Sequence, residues 1–157
     1  MADFSGKIVI VTGASRGIGR AIALEFGTNG ATVVVNYNSS EGPAQEVLAL
    51  IKEAGGDGMI YQADVSDDEQ VTAMVKTVTK EYGQLDILVN NAGTTRDNVI
   101  MMLKPEDFDT VINTNLRSAW LCSKAASRTM MRKRTGRIIN ITSVVGISGN
   151  GGQTNYS

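Results

Sequence analysis

The stretch from Lys7 to Arg20, KIVIVTGASRGIGR, limits this chain to very few folds. Ile8-Val9-Ile10-Val11 is a short β-branched apolar run, which suits a strand buried on both faces. Thr12 to Gly19 then supplies a turn, and Ile18, Ile22, Ala23 and Phe26 follow at helical spacing. Strand, glycine turn and helix together aim free backbone N–H groups and a helix N-terminus at a phosphate. Gly13 permits a tight turn, Gly17 lets the backbone approach a pyrophosphate, and Gly19 lets helix and strand pack closely. The spacing is GxxxGxG rather than the common GxGxxG, so the glycines alone also fit a purely structural turn. The rest of the chain decides between the two.

The same alternation continues. Ala31–Val35, Met59–Ala63, Leu85–Val89 and Arg137–Thr142 read as four further strands. Between them, helical spacing runs over Glu41–Ala54, from Ser66-Asp67-Asp68-Glu69 to about Tyr82, and from Pro105 to about Lys133. Gly27–Gly30 and Gly55-Gly56-Asp57-Gly58 read as stops, and Asn36–Ser40 and Ser143–Asn155 as loops. No linker, repeat or shift in composition divides the chain. The pattern predicts an α/β class with a Rossmann-like, doubly wound parallel sheet, helices on both faces and one domain over residues 1–157. Ligands of such sheets bind beyond the carboxyl ends of the strands. Gly13–Gly19, Asn36–Ser40, Asp64-Val65, Asn90–Gly93 and Ser143 all fall at those ends.

Composition excludes several chemistries. The chain has no histidine, which removes Ser-His-Asp and Cys-His schemes and the usual zinc sites, so no metal is expected. A proton donor must be Tyr, Lys, Asp, Glu or Cys. The single cysteine, Cys122, cannot form an internal disulfide and reads as a small core residue. A net charge of −1 gives no global field for nucleic acid or an anionic membrane. No apolar run approaches the roughly 20 residues that span a bilayer, and MADFSGK does not read as a secretory signal.

Four features together resemble the short-chain dehydrogenase/reductase family: TGASRGIG after the first strand, Asn90-Asn91-Ala92-Gly93 after the fourth, Asn115 in VINTNLRSAW, and Ser143 and Tyr156 in SVVGISGNGGQTNYS. The resemblance runs from about Lys7 to the last residue. NAGTTRDNVIMMLK, TGRIINITSVVG and GNGGQTNYS are similar to bacterial or plastid reductases of 3-oxoacyl groups on acyl carrier protein. The resemblance implies NADP(H) as cofactor, a hydride from nicotinamide and a proton from Tyr156. It implies Ser143 on the substrate carbonyl and Asn115 holding a water. It assigns cofactor binding to Gly13, Ser15, Arg16, Gly17, Ile18, Gly19, Asn38, Asp64, Val65, Asn90, Asn91, Ala92, Gly93 and Tyr156. It also implies an acyl-carrier-protein-bound substrate, a homotetramer built partly on the helix through Phe108, Leu116 and Trp120, and a cytoplasmic or plastid-stromal setting.

The residues themselves support parts of this. A preference for NAD usually shows as a carboxylate after the second strand. Here Asn36, Tyr37 and Asn38 stand there, no acid precedes Glu41, and Arg16 can face a 2′-phosphate. Arg128, Arg132, Lys133, Arg134 and Arg137 form the one basic cluster, readable as a solvated helix end or as a docking patch for an acidic carrier protein centred on Arg134. Met101 and Met102 read as packed within their loop. One departure stands out. The family places a lysine four residues after its tyrosine, past Ser157, the last residue given. A free phenol titrates near pH 10 and needs a nearby cation to exchange protons near neutrality. The chain therefore reads as the front part of a longer protein, incomplete at its C-terminus, with little turnover by itself. A nucleotide-binding fragment without turnover, or a reductase of another ketone, are the alternative readings.

Overall fold

The computed structural model describes residues 3–157. The elements in chain order are β1 (Ile8–Val11), α1 (Gly17–Thr28), β2 (Thr32–Tyr37), α2 (Glu41–Glu53), β3 (Asp57–Gln62), α3 (Asp68–Tyr82), β4 (Ile87–Asn90), α4 (Pro105–Val111), a π turn (Ile112–Arg117), α5 (Ser118–Lys133), β5 (Arg137–Asn140) and α6 (Val145–Ser148). The five strands form one parallel sheet in the order β3-β2-β1-β4-β5. Chain order runs outward from β1 to β3, then crosses back to β4 on the other side of β1. That reversal opens a crevice between the carboxyl ends of β1 and β4.

Alternation along the strands explains why their sequences are apolar throughout. Ile8, Ile10, Val34 and Leu88 face one side, against Val71, Met74 and Val78 of α3 and Leu121 and Ala126 of α5. Val9, Val11, Val33, Val35 and Val89 face the other, against Ala23 of α1 and Ala44, Val47 and Ile51 of α2. A sheet covered on both faces has no polar side to display, so its inner strands read as continuous hydrophobic runs. Each fully buried Val, Leu or Ile contributes about 1.5–3 kcal/mol.

Local signals place several boundaries as expected. Asp67 caps α3 by accepting from Glu69 N at 2.9 Å and Gln70 N at 3.0 Å. The Gln70 backbone N–H, first among these bonds, holds the Asp67 carboxyl below the ordinary carboxylate value. Gly83, with φ +74°, closes the same helix.

Other boundaries differ from the sequence reading. β2 continues through Asn36 and Tyr37, which are buried strand residues paired with Tyr61 and Gln62 and not part of a polar loop. β3 begins at Asp57, two residues before Met59, because Gly58 pairs with Val33. β4 and β5 are shorter and shifted at their ends, at Ile87–Asn90 and Arg137–Asn140. The expected single helix from Pro105 to Lys133 is helical throughout, but the π turn divides it. Met101 and Met102 are exposed rather than packed. So are Phe108, Leu116 and Trp120 of the divided helix, the last two at the edge of a cavity beyond β4 and β5. β5 lies at the sheet edge, with Ile139 and Ile141 partly open to solvent beside Ile22 and Phe26 of α1. No described helix is long and apolar enough to cross a membrane.

Arg134 ends α5 with φ +52°, the one described non-glycine residue in the left-handed region. A side chain there costs about 1–2 kcal/mol. Its charge returns about 0.3–1 kcal/mol at a helix C-terminus. Arg134→Gly is therefore expected to raise the thermal midpoint by a few degrees, as about 1 kcal/mol moves a domain of this size by roughly 2–4 °C. A lower midpoint in scanning calorimetry would show that Arg134 has a stabilising contact outweighing the strain.

Candidate functional site

The site begins with how the turn after β1 is fastened. Thr12 Oγ1 donates to Val89 O at 3.3 Å and accepts from Asn91 N at 2.9 Å and Ala92 N at 3.0 Å. Asn91 Nδ2 donates to Thr12 O at 2.9 Å and Gly13 O at 3.3 Å. One hydroxyl and one amide thus join the glycine turn to the Asn90–Gly93 turn across the β1/β4 crevice. Sequence reasoning missed Thr12; the signal was a β-branched hydroxyl closing an apolar strand. Gly19 packs into this junction. A Cβ at Gly19 would collide with Asn91 Nδ2 and stand 2.5 Å from Gly13 O. Gly19 therefore admits a close approach to the two turns, more than to the strand itself. Gly17, with φ +57°, has no atom within 4 Å of where its Cβ would lie, so the backbone there is open to an incoming group.

Asn36 fastens the other side. Its Oδ1 accepts from Gly13 N at 3.2 Å, and its Nδ2 donates to Ala63 O at 3.1 Å and Tyr61 O at 3.3 Å. Ala14 N donates to Asn36 O at 2.8 Å. A buried amide thus binds the ends of β1, β2 and β3 into one rim. Arg16 stands on this rim in extended conformation, exposed, with no ion-pair partner among the described residues. Ser15 and Asp64 are half-buried, and Asn38 is exposed beyond β2, its carbonyl accepting from Gln62 Nε2 at 2.9 Å. Asp64 Oδ1 accepts from Ser66 N at 2.9 Å and Ser66 Oγ at 2.7 Å, while the Val65 side chain is buried in the core.

Beyond β4 and β5 the rim opens into a cavity of about 1100 Å³. Ile18, Asn90 to Gly93, Asn115, Ser143 and Tyr156 all line it. The sequence thus separates residues by up to 138 positions (18 to 156) that the fold gathers around one space. Gly13, Ser15, Arg16, Gly17, Gly19, Asn38, Asp64 and Val65 lie outside its lining, at the strand ends along β1 to β3. The arrangement is a long site, a rim along β1 to β3 continuing into a half-open cavity beyond β4 and β5. It fits an extended ligand: Gly17 and the N-terminus of α1 face one half, and the hydroxyls and amides of the cavity face the other.

Within the cavity the amides are mostly engaged. Asn115 stands in the π turn and clasps Thr94, accepting from its N–H at 2.7 Å and donating to its carbonyl at 2.9 Å. Such π turns collect at functional sites. Asn90 Nδ2 donates to Asn140 Oδ1 at 2.8 Å, Ser123 Oγ at 3.1 Å and Ala119 O at 3.3 Å, tying β4 to β5 and α5. Ser143 Oγ accepts from Val145 N at 3.2 Å, and Ser143 and Tyr156 are half-buried. Ser123, Asn140 and Asn155, unremarked in the sequence reading, also line the cavity. Cys122 is buried in the core, and burial pushes its thiol up to about 12, so it stays protonated and inert.

Known proteins are similar to this chain in sequence and in fold. The family model described as short chain dehydrogenase matches residues 7–157. The 3-oxoacyl-[acyl-carrier-protein] reductase FabG of Staphylococcus aureus (strain N315) is 50% identical over 150 residues, covering 96% of this chain and 61% of that protein. The 3-oxoacyl-[acyl-carrier-protein] reductase of Synechocystis is 46% identical over 157 residues, covering all of this chain and 64% of that protein. Among solved structures, a protein of Sinorhizobium meliloti 1021 described as a short-chain alcohol dehydrogenase superposes with a TM-score of 0.93 at 36% identity, covering 98% of this chain and 61% of that one. The chain thus spans less than two thirds of each of these relatives. From the glycine turn to Tyr156, it belongs to the short-chain dehydrogenase family.

Proposed function

We propose that the protein reduces 3-oxoacyl groups carried on acyl carrier protein to 3-hydroxyacyl groups, with NADPH as reductant. The cavity that brings Asn115, Ser143 and Tyr156 together beside Ile18 and the Asn90–Gly93 turn carries this reading, and the two reductase relatives supply the substrate class. Bound nicotinamide supplies a hydride to the carbonyl carbon. The chain's own residues do the rest. The Ser143 hydroxyl donates to the carbonyl oxygen and holds it in place. The Tyr156 hydroxyl donates the proton that the same oxygen takes up as it becomes an alcohol. Asn115 fixes the cavity wall through Thr94, and any water it holds must use what its amide and backbone leave free.

Arg16 selects the cofactor. It is exposed on the rim, and the strand end that would carry an acid for a 2′-hydroxyl carries Asn36, Tyr37 and Asn38 instead. Gly13, Ser15, Gly17, Ile18, Gly19, Asn38, Asp64, Val65, Asn90 to Gly93 and Tyr156 complete the cofactor contacts, and the chain, residues 1–157, acts as one dinucleotide-binding domain. Arg134, exposed at the end of α5 beside Arg132 and Lys133, is the docking point for the acidic carrier protein. Phe108, Leu116 and Trp120 present an apolar stripe for self-association as a homotetramer, and the setting is the cytoplasm.

The test is NADPH oxidation by the full-length protein with an acetoacetyl thioester, against a panel of sugar and steroid ketones. The thioester is expected to be reduced and the others not. Arg16→Ala is expected to weaken NADPH about 10- to 100-fold, since a hydrogen bond to a charged group contributes about 1.5–3 kcal/mol. NADH binding should change less than about threefold, as it lacks the phosphate. Equal use of NADH by the wild type, or reduction confined to the other ketones, would overturn the assignment.

A further inference from the structure

The glycine-rich segment before Tyr156 has one buried residue, Asn155. Its neighbours in Ser143–Ser157 are exposed or half-buried. Asn155 Nδ2 donates to Arg96 O at 2.9 Å and reaches Asp107 O at 3.5 Å, so one amide touches both the loop after β4 and the first turn of α4. Two further bonds join the same loop and segment: Asn98 N donates to Gly152 O at 2.8 Å, and Gln153 Nε2 to Asp97 Oδ2 at 2.9 Å. The loop's other end is the residue that Asn115 clasps, Thr94. Two of the three residues assigned to the chemistry are thus referred to one strip of backbone, Thr94–Asp97. Asn115 holds it directly, and Tyr156 is held through its neighbour Asn155.

A second observation concerns the same amide. Among the described residues, two buried side-chain polar atoms have no hydrogen-bond partner, Asn90 Oδ1 and Asn155 Oδ1, and both residues line this cavity. A buried polar atom without a partner is rare in a fold, so it is the donor bonds to Arg96 and Asp107 that keep this amide in place.

We propose that Asn155 is the positioning residue for Tyr156, setting the tyrosine hydroxyl by fixing the adjacent backbone to Thr94–Asp97. This rests on the reductase reading for its consequence, though not for the contact itself. A displacement of about 1 Å at a reacting group costs on the order of 100-fold in rate. Asn155→Ala in the full-length protein is therefore expected to lower kcat about 30- to 100-fold, with KM and the dissociation constant for NADPH within about threefold. Backbone amides of residues 96–99 should exchange with deuterium about tenfold faster, in the absence of any cofactor.

The decisive comparison is the double variant. If Asn155 acts through Tyr156, Asn155→Ala should add nothing to the loss caused by Tyr156→Phe. Multiplying losses, or unchanged exchange at residues 96–99, would overturn the proposal. Should Asn155→Ala fail to fold, Asn155→Ser removes the same donor with less lost volume and is expected to show the same exchange and the same lack of additivity. A wild type that reduces no ketone would instead sink the reductase reading, while the exchange measurement still decides whether Asn155 fixes the loop.

Discussion

Tyr156→Phe is expected to slow ketone reduction by about a thousandfold while leaving the affinity for NADPH within about threefold. General acid catalysis by a positioned group contributes roughly 10²–10⁴, and the variant removes one oxygen without changing the shape of the ring. The lining of the cavity makes the expectation sharp. Among the described residues that line it there is no Asp, Glu, Lys or Cys, so within residues 3–157 the tyrosine hydroxyl competes only with aliphatic hydroxyls and amides, which are far weaker acids. Cys122, four residues beyond Ser118 on α5, is buried and kept protonated, and is no substitute. Single-turnover NADPH oxidation separates the chemical step from release. A loss below about tenfold would mean that another group, or solvent, supplies the proton, and Tyr156 would then only shape the cavity.

What the sequence made legible divides along physical lines. β1, the glycine turn and the core faces of α2 and α3 were readable because their signals are local: β-branched runs, helical spacing and an acidic cap at Asp67. That Gly13–Gly19 and Asn90–Gly93 share one rim followed from their places at the ends of strands in a parallel sheet, and the strand order then sets them across one crevice. The errors arose where a distant partner decides. Asn36 and Tyr37 look like loop residues because asparagine breaks an apolar run, yet the Asn36 amide finds Gly13, Tyr61 and Ala63 and so can be buried within β2. Gly58 looks like a breaker until Val33 pairs with it. The π turn is invisible because Phe108, Ile112, Leu116 and Trp120 keep a spacing of four straight through it, and what it serves is the Asn115–Thr94 clasp, a contact across 21 positions. Thr12 and Asn155 belong to the same class. Each is a single polar residue whose meaning is set by backbone atoms far along the chain.

Gly19→Val should abolish measurable NADPH binding and lower the thermal midpoint, and the two losses have one cause. Even the first carbon of a side chain at Gly19 meets Asn91 Nδ2 and Gly13 O. Making room would pull Asn91 from Thr12 O and Gly13 O, and with it the junction that holds the two turns across the β1/β4 crevice. Overpacking of this kind costs about 1–3 kcal/mol, or roughly 2–12 °C at 2–4 °C per kcal/mol. Binding suffers more than stability, because the displaced atoms are the turn that must present N–H groups to a phosphate, whereas the core faces of the sheet are untouched. Gly17→Ala provides the contrast: its Cβ would meet nothing, and only the left-handed backbone, at about 1–2 kcal/mol, opposes it. If Gly19→Val bound NADPH as the wild type does by fluorescence titration, α1 would have to slide away from the crevice without cost. The close approach at Gly19 would then have no part in forming the phosphate site, and Gly17 alone would carry it.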